Sequence, residues 1–186
     1  DAKTIASKDG KTAQVLTVPL VFKTPEGVEV IKTFTFKQGD YPITVKHQVV
    51  NRSAQNWQGQ MFGQLKRDNS DDPGKSSQGI FTLGTFLGGA WGTPEATYNK
   101  LKFSNFSDEK LSLEAKSAWV AMVQHYFFSA WIPGNLKLTQ ADGQPYTAKL
   151  ESRQSTDKMN IIGFTSPVIN VPAGTSLEVD AKLYAG

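Results

Sequence analysis

An all-β, antiparallel sandwich is the fold class this sequence predicts. Sixteen Gly and nine Pro punctuate the 186 residues, and few stretches between them hold a helical period. The runs that do lie between them are short and rich in Val, Ile, Thr and aromatic residues, and several alternate apolar with polar side chains as half-buried strands do. One stretch, residues 117–133, carries two of the four Trp residues and the densest aromatic run in the chain. Many short strands with turn signals between them argue two packed sheets.

Taken in order, the chain opens on a polar segment with a turn signal at Asp9-Gly10. Val15 to Phe22 is apolar but contains Pro19, which cannot donate to a ladder, so this strand belongs at an edge or carries a bulge. Thr24-Pro25-Glu26-Gly27 is a hairpin turn. Val28 to Phe36 follows, and Lys37-Gln38-Gly39-Asp40 turns the chain again. Ile43, Val45, His47 and Val49 then alternate with polar residues, the pattern of a half-buried antiparallel strand. These runs read as a meander. Trp57 to Leu65 reads as one further strand packing through Trp57, Met61 and Phe62. Residues 66–78 are the most polar segment and read as a long exposed loop.

Ile80 to Phe86 is a strand, followed by a Gly-rich loop from Gly88 to Pro94. Tyr98 to Phe103 and Leu111 to Ala115 are short strands joined by a turn at residues 107–110. Residues 117–133 read as one long, bent central strand. At period two, Trp119, Ala121, Val123, Phe127 and Trp131 share a face, and Val120, Met122, Tyr126, Phe128 and Ile132 share the other. A helix would also accommodate the run, but β-branched and aromatic enrichment and the missing N-cap favour strand. Asp142-Gly143 marks a hairpin. Strands at Thr147–Leu150, Asn160–Thr165, Val168–Val171 and Leu177–Leu183 close the chain, the last with Leu177, Val179, Ala181 and Leu183 on one face. The length suits a single domain spanning residues 1–186.

Twenty basic against 17 acidic residues, interspersed, make a mixed surface and not the basic stripe of a nucleic-acid binder. With no Cys, disulfides and thiolate chemistry are excluded. No apolar run reaches the ~18 residues of a membrane-spanning helix. His47 and His125 are the two imidazoles; they have no ligand-like spacing and no carboxylate partner nearby in sequence, so structural roles are expected. Asp68, Ser70 and Asp72 begin like a calcium loop, but Pro73 and Gly79 stand where it needs Gly and Glu. Gly84 and Gly88-Gly89 resemble a phosphate cradle, but Trp91-Gly92-Thr93-Pro94 cannot open the helix it requires. Asn51-Arg52-Ser53 and Asn105-Phe106-Ser107 match the glycosylation sequon, a common chance match. No cofactor or metal is expected. What remains is aromatic surface: Trp57, Phe62, Trp91, Tyr98 and Phe106 fall at strand ends or loops, where one or two of them can form a recognition groove for peptide or sugar.

The run Trp119-Val120-Ala121-Met122-x-Gln124-x-Tyr126-Phe127-x-x-Ala130-Trp131-Ile132-Pro133 closely resembles a segment of the large periplasmic domain of the YidC membrane protein insertases of Gram-negative bacteria. In order upstream, Lys32-Thr33-Phe34, Gly39-Asp40-Tyr41, Phe62-Gly63-Gln64-Leu65-Lys66, Thr85-Phe86-x-Gly88-x-Ala90 with Thr93-Pro94, and Tyr98-x-Lys100-x-Lys102-Phe103 are similar too. The likeness is strong from Val15 to Pro133 and weaker to Gly186. The resemblance implies a galactose-mutarotase-like β-super-sandwich on the periplasmic face of the inner membrane, joined to spans absent from this chain. It implies no catalysis and no cofactor. The partners it implies are the Sec translocon with its accessory subunits, and nascent membrane proteins. The family domain carries further strands before the point matching Asp1 and a helical segment after the point matching Gly186. The expected contact residues are Lys66, Arg67, Asp71 and Asp72 of the polar loop Lys66–Gln78, and Phe86, Trp91 and Tyr98 in and beside the loop Gly88–Tyr98. The alternatives are a carbohydrate- or peptide-binding domain on the same fold, and a structural spacer.

Overall fold

Every strand pairing in the structure, a computed structural model that describes residues 2–6, 12–70, 86–124, 126–134 and 147–186, is antiparallel. The largest sheet begins with β1 (Ala2–Ala6), β2 (Thr12–Lys23), β3 (Val28–Lys37) and β4 (Pro42–Asn51). This is the expected meander. Its turns are set by Gly27 and Gly39, whose φ of 98° and 82° is costly for any residue with a Cβ. The chain then leaves for β5 (Trp57–Gly59) and β6 (Phe62–Arg67), and returns in β7 (Gly88–Gly92) and β8 (Asn99–Lys102). After a one-turn 3-10 segment, Phe103–Asn105, come β9 (Ser112–Ala115), β10 (Trp119–Val123) and β11 (Phe128–Pro133). The last are β12 (Ala148–Gln154), β13 (Asn160–Thr165), β14 (Ile169–Val171) and β15 (Ser176–Ala185).

Nine strands form one sheet in the order β1-β2-β3-β4-β15-β11-β10-β7-β8. Four form a second, β6-β13-β12-β9, and β14 pairs with β5. The four-stranded sheet lies over the β10–β11 part of the large one, and the core fills the space between them. Val120, Met122 and Trp131 come from the large sheet, and Leu150, Ile162 and Phe164 from the small one, all nearly or fully buried. Phe106, fully buried, closes one side. Asn51 is also fully buried: its Nδ2 donates to the carbonyls of Gln55 and Val171, both at 2.8 Å, and its Oδ1 accepts from Ser53. That ties the end of β4 to β14 and makes the first sequon inaccessible in the folded chain.

Several expectations are corrected. Residues 117–133 are two strands, not one. β10 and β11 form a hairpin closed by the Gln124 N–H donating to the Phe127 carbonyl. Register pairs Val120 with Trp131, Ala121 with Ala130 and Val123 with Phe128. The turn shifts the parity of the second strand by one residue. Trp119 and Trp131 therefore lie on opposite faces, where unbroken alternation puts them on one. Trp57 to Leu65 is likewise two strands in different sheets, broken at Gln60-Met61, and Phe62 is exposed. Gly88 to Gly92 is a strand, not a loop; its glycines are buried because β8 and β10 pack on either side. Lys66 and Arg67 belong to β6, so the polar loop starts after them. The expected turns at Asp9-Gly10 and Asp142-Gly143, the expected strand from Ile80 up to its final residue Phe86, and His125 lie outside the described residues.

The edge reading of Pro19 stands. β1 pairs with β2 only as far as Leu16, and beyond it no described strand covers that side. The Gln14 carbonyl accepts from the Gln38 N–H, so even-numbered residues of β2 bond toward β3 and odd-numbered ones point their backbone groups to the open side. Pro19 therefore sits where its missing N–H leaves the β2–β3 ladder intact.

The sheets meet most closely at Gly63. A Cβ there would lie 2.5 Å from Phe164 Cε1 and 2.7 Å from Trp131 Cδ2. The Trp131 and Phe164 rings meet edge-on at 5.9 Å, and the indole N–H donates to the Gln64 carbonyl at 3.3 Å. Gly63→Ala is expected to destabilise the fold by about 2 kcal/mol through overpacking. Urea unfolding followed by Trp fluorescence measures it.

Candidate functional site

The outer face of the large sheet carries a bowl of about 500 Å³. Its floor is a row of small side chains set by register: Ala90 pairs with Ala121, Ala121 with Ala130, and Ala130 with Tyr184. The three alanines are buried at 0%, 2% and 5% exposure. Two rows of larger side chains rise beside them. Trp119 and Ile132 stand on one side, Val123 and Phe128 on the other. The floor is three strands wide, roughly 10 Å, and the two rows are four residues apart, roughly 13 Å. Tyr98 leans on Trp119 with ring centroids 6.0 Å apart, and Tyr184 stacks on Phe128 at 4.5 Å and 9°. Tyr98, Phe128 and Ile132 remain exposed. A contiguous apolar concavity with an aromatic rim is what binding sites for apolar groups look like.

Of the residues singled out from the sequence, Tyr98 reaches this bowl. Trp91 does not: paired with Val120, it faces inward and packs against the core. Phe86 is half-buried, with the Lys100 ammonium 5.1 Å from its ring. Lys66 and Arg67 lie elsewhere, at a smaller cavity of about 220 Å³ near the open end of the sandwich, with Met122, Phe127 and Phe128. Lys66 pairs with Asp157 at 3.2 Å. Arg67 stacks over Phe103 and donates to the Ser70 carbonyl. Asp71 and Asp72 lie outside the described residues. The alanine floor escaped sequence reading, because small residues in a strand carry no signal until register aligns them across three strands.

Among the described residues no group of three or more metal-ligating side chains converges. His47 sits on the inner face of β4. Burial, and then the neighbouring Lys32, lower its pKa to about 4 from 6.5. The unfolded imidazole takes up its proton near the higher value and the folded one near the lower. Stability is thus full above pH 6.5 and falls as pH drops from there toward 4. Urea midpoints at about pH 7.5 and 4.5 are expected to differ more in the native protein than in His47→Gln, which lacks this proton linkage.

A sequence profile described as the YidC periplasmic domain matches residues 2–186. Two relatives, both called membrane protein insertase YidC, are similar over most of the chain. The one from Stutzerimonas stutzeri is 42% identical over 161 residues, covering 87% of this chain and 27% of its own length. The one from Pseudomonas putida is 39% identical over all 186 residues, 31% of its length. The chain thus spans less than a third of these relatives. Two solved structures share the fold at 10% identity. A galactose mutarotase related enzyme from Lactobacillus acidophilus has a TM-score of 0.55, covering 100% of this chain and 71% of its own. A galactose mutarotase-like protein from Lactobacillus casei has a TM-score of 0.55, with 100% and 73% covered.

Proposed function

The chain belongs to the YidC periplasmic-domain family, and from that premise we propose that it is the non-catalytic periplasmic part of a membrane protein insertase, aiding insertion and folding of inner-membrane proteins by holding apolar polypeptide segments. Those segments come from nascent membrane proteins or from Sec translocon subunits. The observation that carries the reading is the bowl over Ala90, Ala121 and Ala130. Among the described residues its lining offers apolar surface and two phenols, with no carboxylate or imidazole to move a proton. Such a surface holds apolar side chains by desolvation at ~25 cal/mol per Å² and does so with little sequence preference, which suits an insertase with many clients.

A second reading, carbohydrate binding, is favoured by the aromatic rim and the mutarotase-like fold. The bowl supports it less well, because sugar hydroxyls need convergent polar partners and the phenols are the only side-chain hydroxyls among the described residues of the lining.

The test is Ala121→Trp in the full-length insertase, which fills the bowl from its floor, with Ala130→Leu as a milder version. Both are expected to lower the yield of inserted client protein and the crosslinking of client to a photo-reactive residue at Tyr98. Wild-type insertion and crosslinking in both variants would remove the reading. Saturable binding of galactose or an oligosaccharide, lost in Trp119→Ala, would replace it with the second.

A further inference from the structure

The lining of the bowl is uncharged, but its floor runs on into a cation. Ala130 pairs with Ala121, Ala121 with Ala90, and Ala90 with Lys100. Lys102 ends the neighbouring row: it pairs with Gly88, and Gly88 with Val123, which walls the bowl. Leu101, between the two lysines, is buried in the core. Alternation therefore turns Lys100 and Lys102 to the outer face, where both are exposed. Ala90 and Gly88, which stand between them and the bowl, are too small to screen it from their charge.

Lys100 is held at this lip. Its ammonium lies 5.1 Å from the Phe86 ring centroid and 5.7 Å from that of Tyr98, and Tyr98 lines the bowl and leans on Trp119. A cation over aromatic rings is positioned without being neutralised. Neither face of β7, β8, β10 or β11 carries an Asp or Glu. Among the described residues no carboxylate, Glu95 of the β7–β8 loop included, stands within ion-pairing distance of Lys100 or Lys102. At the other end of the floor, β15 carries both signs, Asp180 and Lys182. The basic side of the bowl is thus the β8 side alone. β8 and β1 are opposite edges of the nine-stranded sheet, so the lip lies eight strand spacings, roughly 38 Å along the sheet, from β1.

We infer that the bowl selects its clients by charge: it takes an apolar segment flanked by a carboxylate, and the carboxylate sits over Lys100 and Lys102. This deepens the proposed function and rests on it. The apolar lining does not distinguish one client from another; the lip does. Lys100 stands two strand spacings, roughly 10 Å, from Ala121, so the acid belongs about three extended residues beyond the centre of the held stretch. A basic residue at that place is repelled. Segments delivered to the side of the membrane away from the cytoplasm are poor in Lys and Arg, so the lip turns away few of the chains an insertase handles there.

The experiment uses the full-length insertase with a photo-reactive residue in place of Ile132, on the far wall from Tyr98. Three versions of one single-span client carry Asp, Asn or Lys beside the same apolar segment on its periplasmic side. The Asp client is expected to crosslink at least about threefold more than the Asn client, with the Lys client lowest, and added salt narrows the gap. Lys100→Gln with Lys102→Gln brings the Asp client down to the Asn level, and the paired changes to Glu move the preference to the Lys client. Lys46→Gln, on β4 and paired with Glu178, keeps the Asp preference. Ala121→Trp removes crosslinking of all three clients. Equal crosslinking of the three that Ala121→Trp still removes leaves the bowl as a client site and overturns selection by charge, as does an Asp preference that survives the double Gln change. Crosslinking that Ala121→Trp does not touch, or none at all, overturns the reading of the bowl and this inference with it. So does crosslinking to anionic lipid or to the insertase's own chain instead of the client, which would assign the bowl to that occupant.

Discussion

The two sheets can approach each other because Gly63 has no side chain. Trp131 from the large sheet and Phe164 from the small one converge on the space that a Cβ at Gly63 would occupy, and the indole N–H is satisfied by the next carbonyl along β6. Aromatic residues of this size dominate the energetics of a core, and an interior packed at crystal-like density passes small displacements to its neighbours. Val120, Met122, Leu150 and Ile162 are buried around the same contact. The outer face depends on it as well, since β11 can present Phe128, Ala130 and Ile132 to the bowl only while Trp131 anchors its other side.

The turn between β10 and β11 decides which Trp serves which face. With the turn, Trp131 enters the core and Trp119 walls the bowl; without it, alternation would put both on one side. The turn was hidden in the sequence because Gln124, Tyr126 and Phe127 carry no Gly, Pro or Asn signal, and the aromatic and β-branched residues on either side favour strand. By contrast, the meander of β2, β3 and β4 was legible. Gly27 and Gly39 mark its turns, Ile43 to Val49 alternates, and Pro19 announces an edge. The break at Gln60-Met61 had one signal, Gly59 beside it, but a lone Gly within an apolar run fits a bulge in a single strand equally well. Tyr98 could be found as a surface aromatic, but Trp91 could not be assigned to the core until its pairing with Val120 was known. The alanine floor is a property of three strands side by side and belongs to no single stretch of sequence.

The large sheet thus has two apolar areas with different chemistry. The bowl is concave, aromatic-rimmed and uncharged, and suits any apolar side chain of the right size. On the inner face of the same sheet, Leu20, Lys32 and His47 form a row that carries two polar groups between apolar ones. The two areas lie on opposite sides of the sheet and share no side chain.

Pro19 carries a further consequence. Exposed β-strands rich in Leu, Val and Phe are templates on which further copies stack, and the open side of β2 has that composition from Leu16 to Phe22. A strand approaching it meets a gap in the row of donors at its midpoint, and the ladder cannot run through. An added strand therefore cannot pair along the whole of that edge.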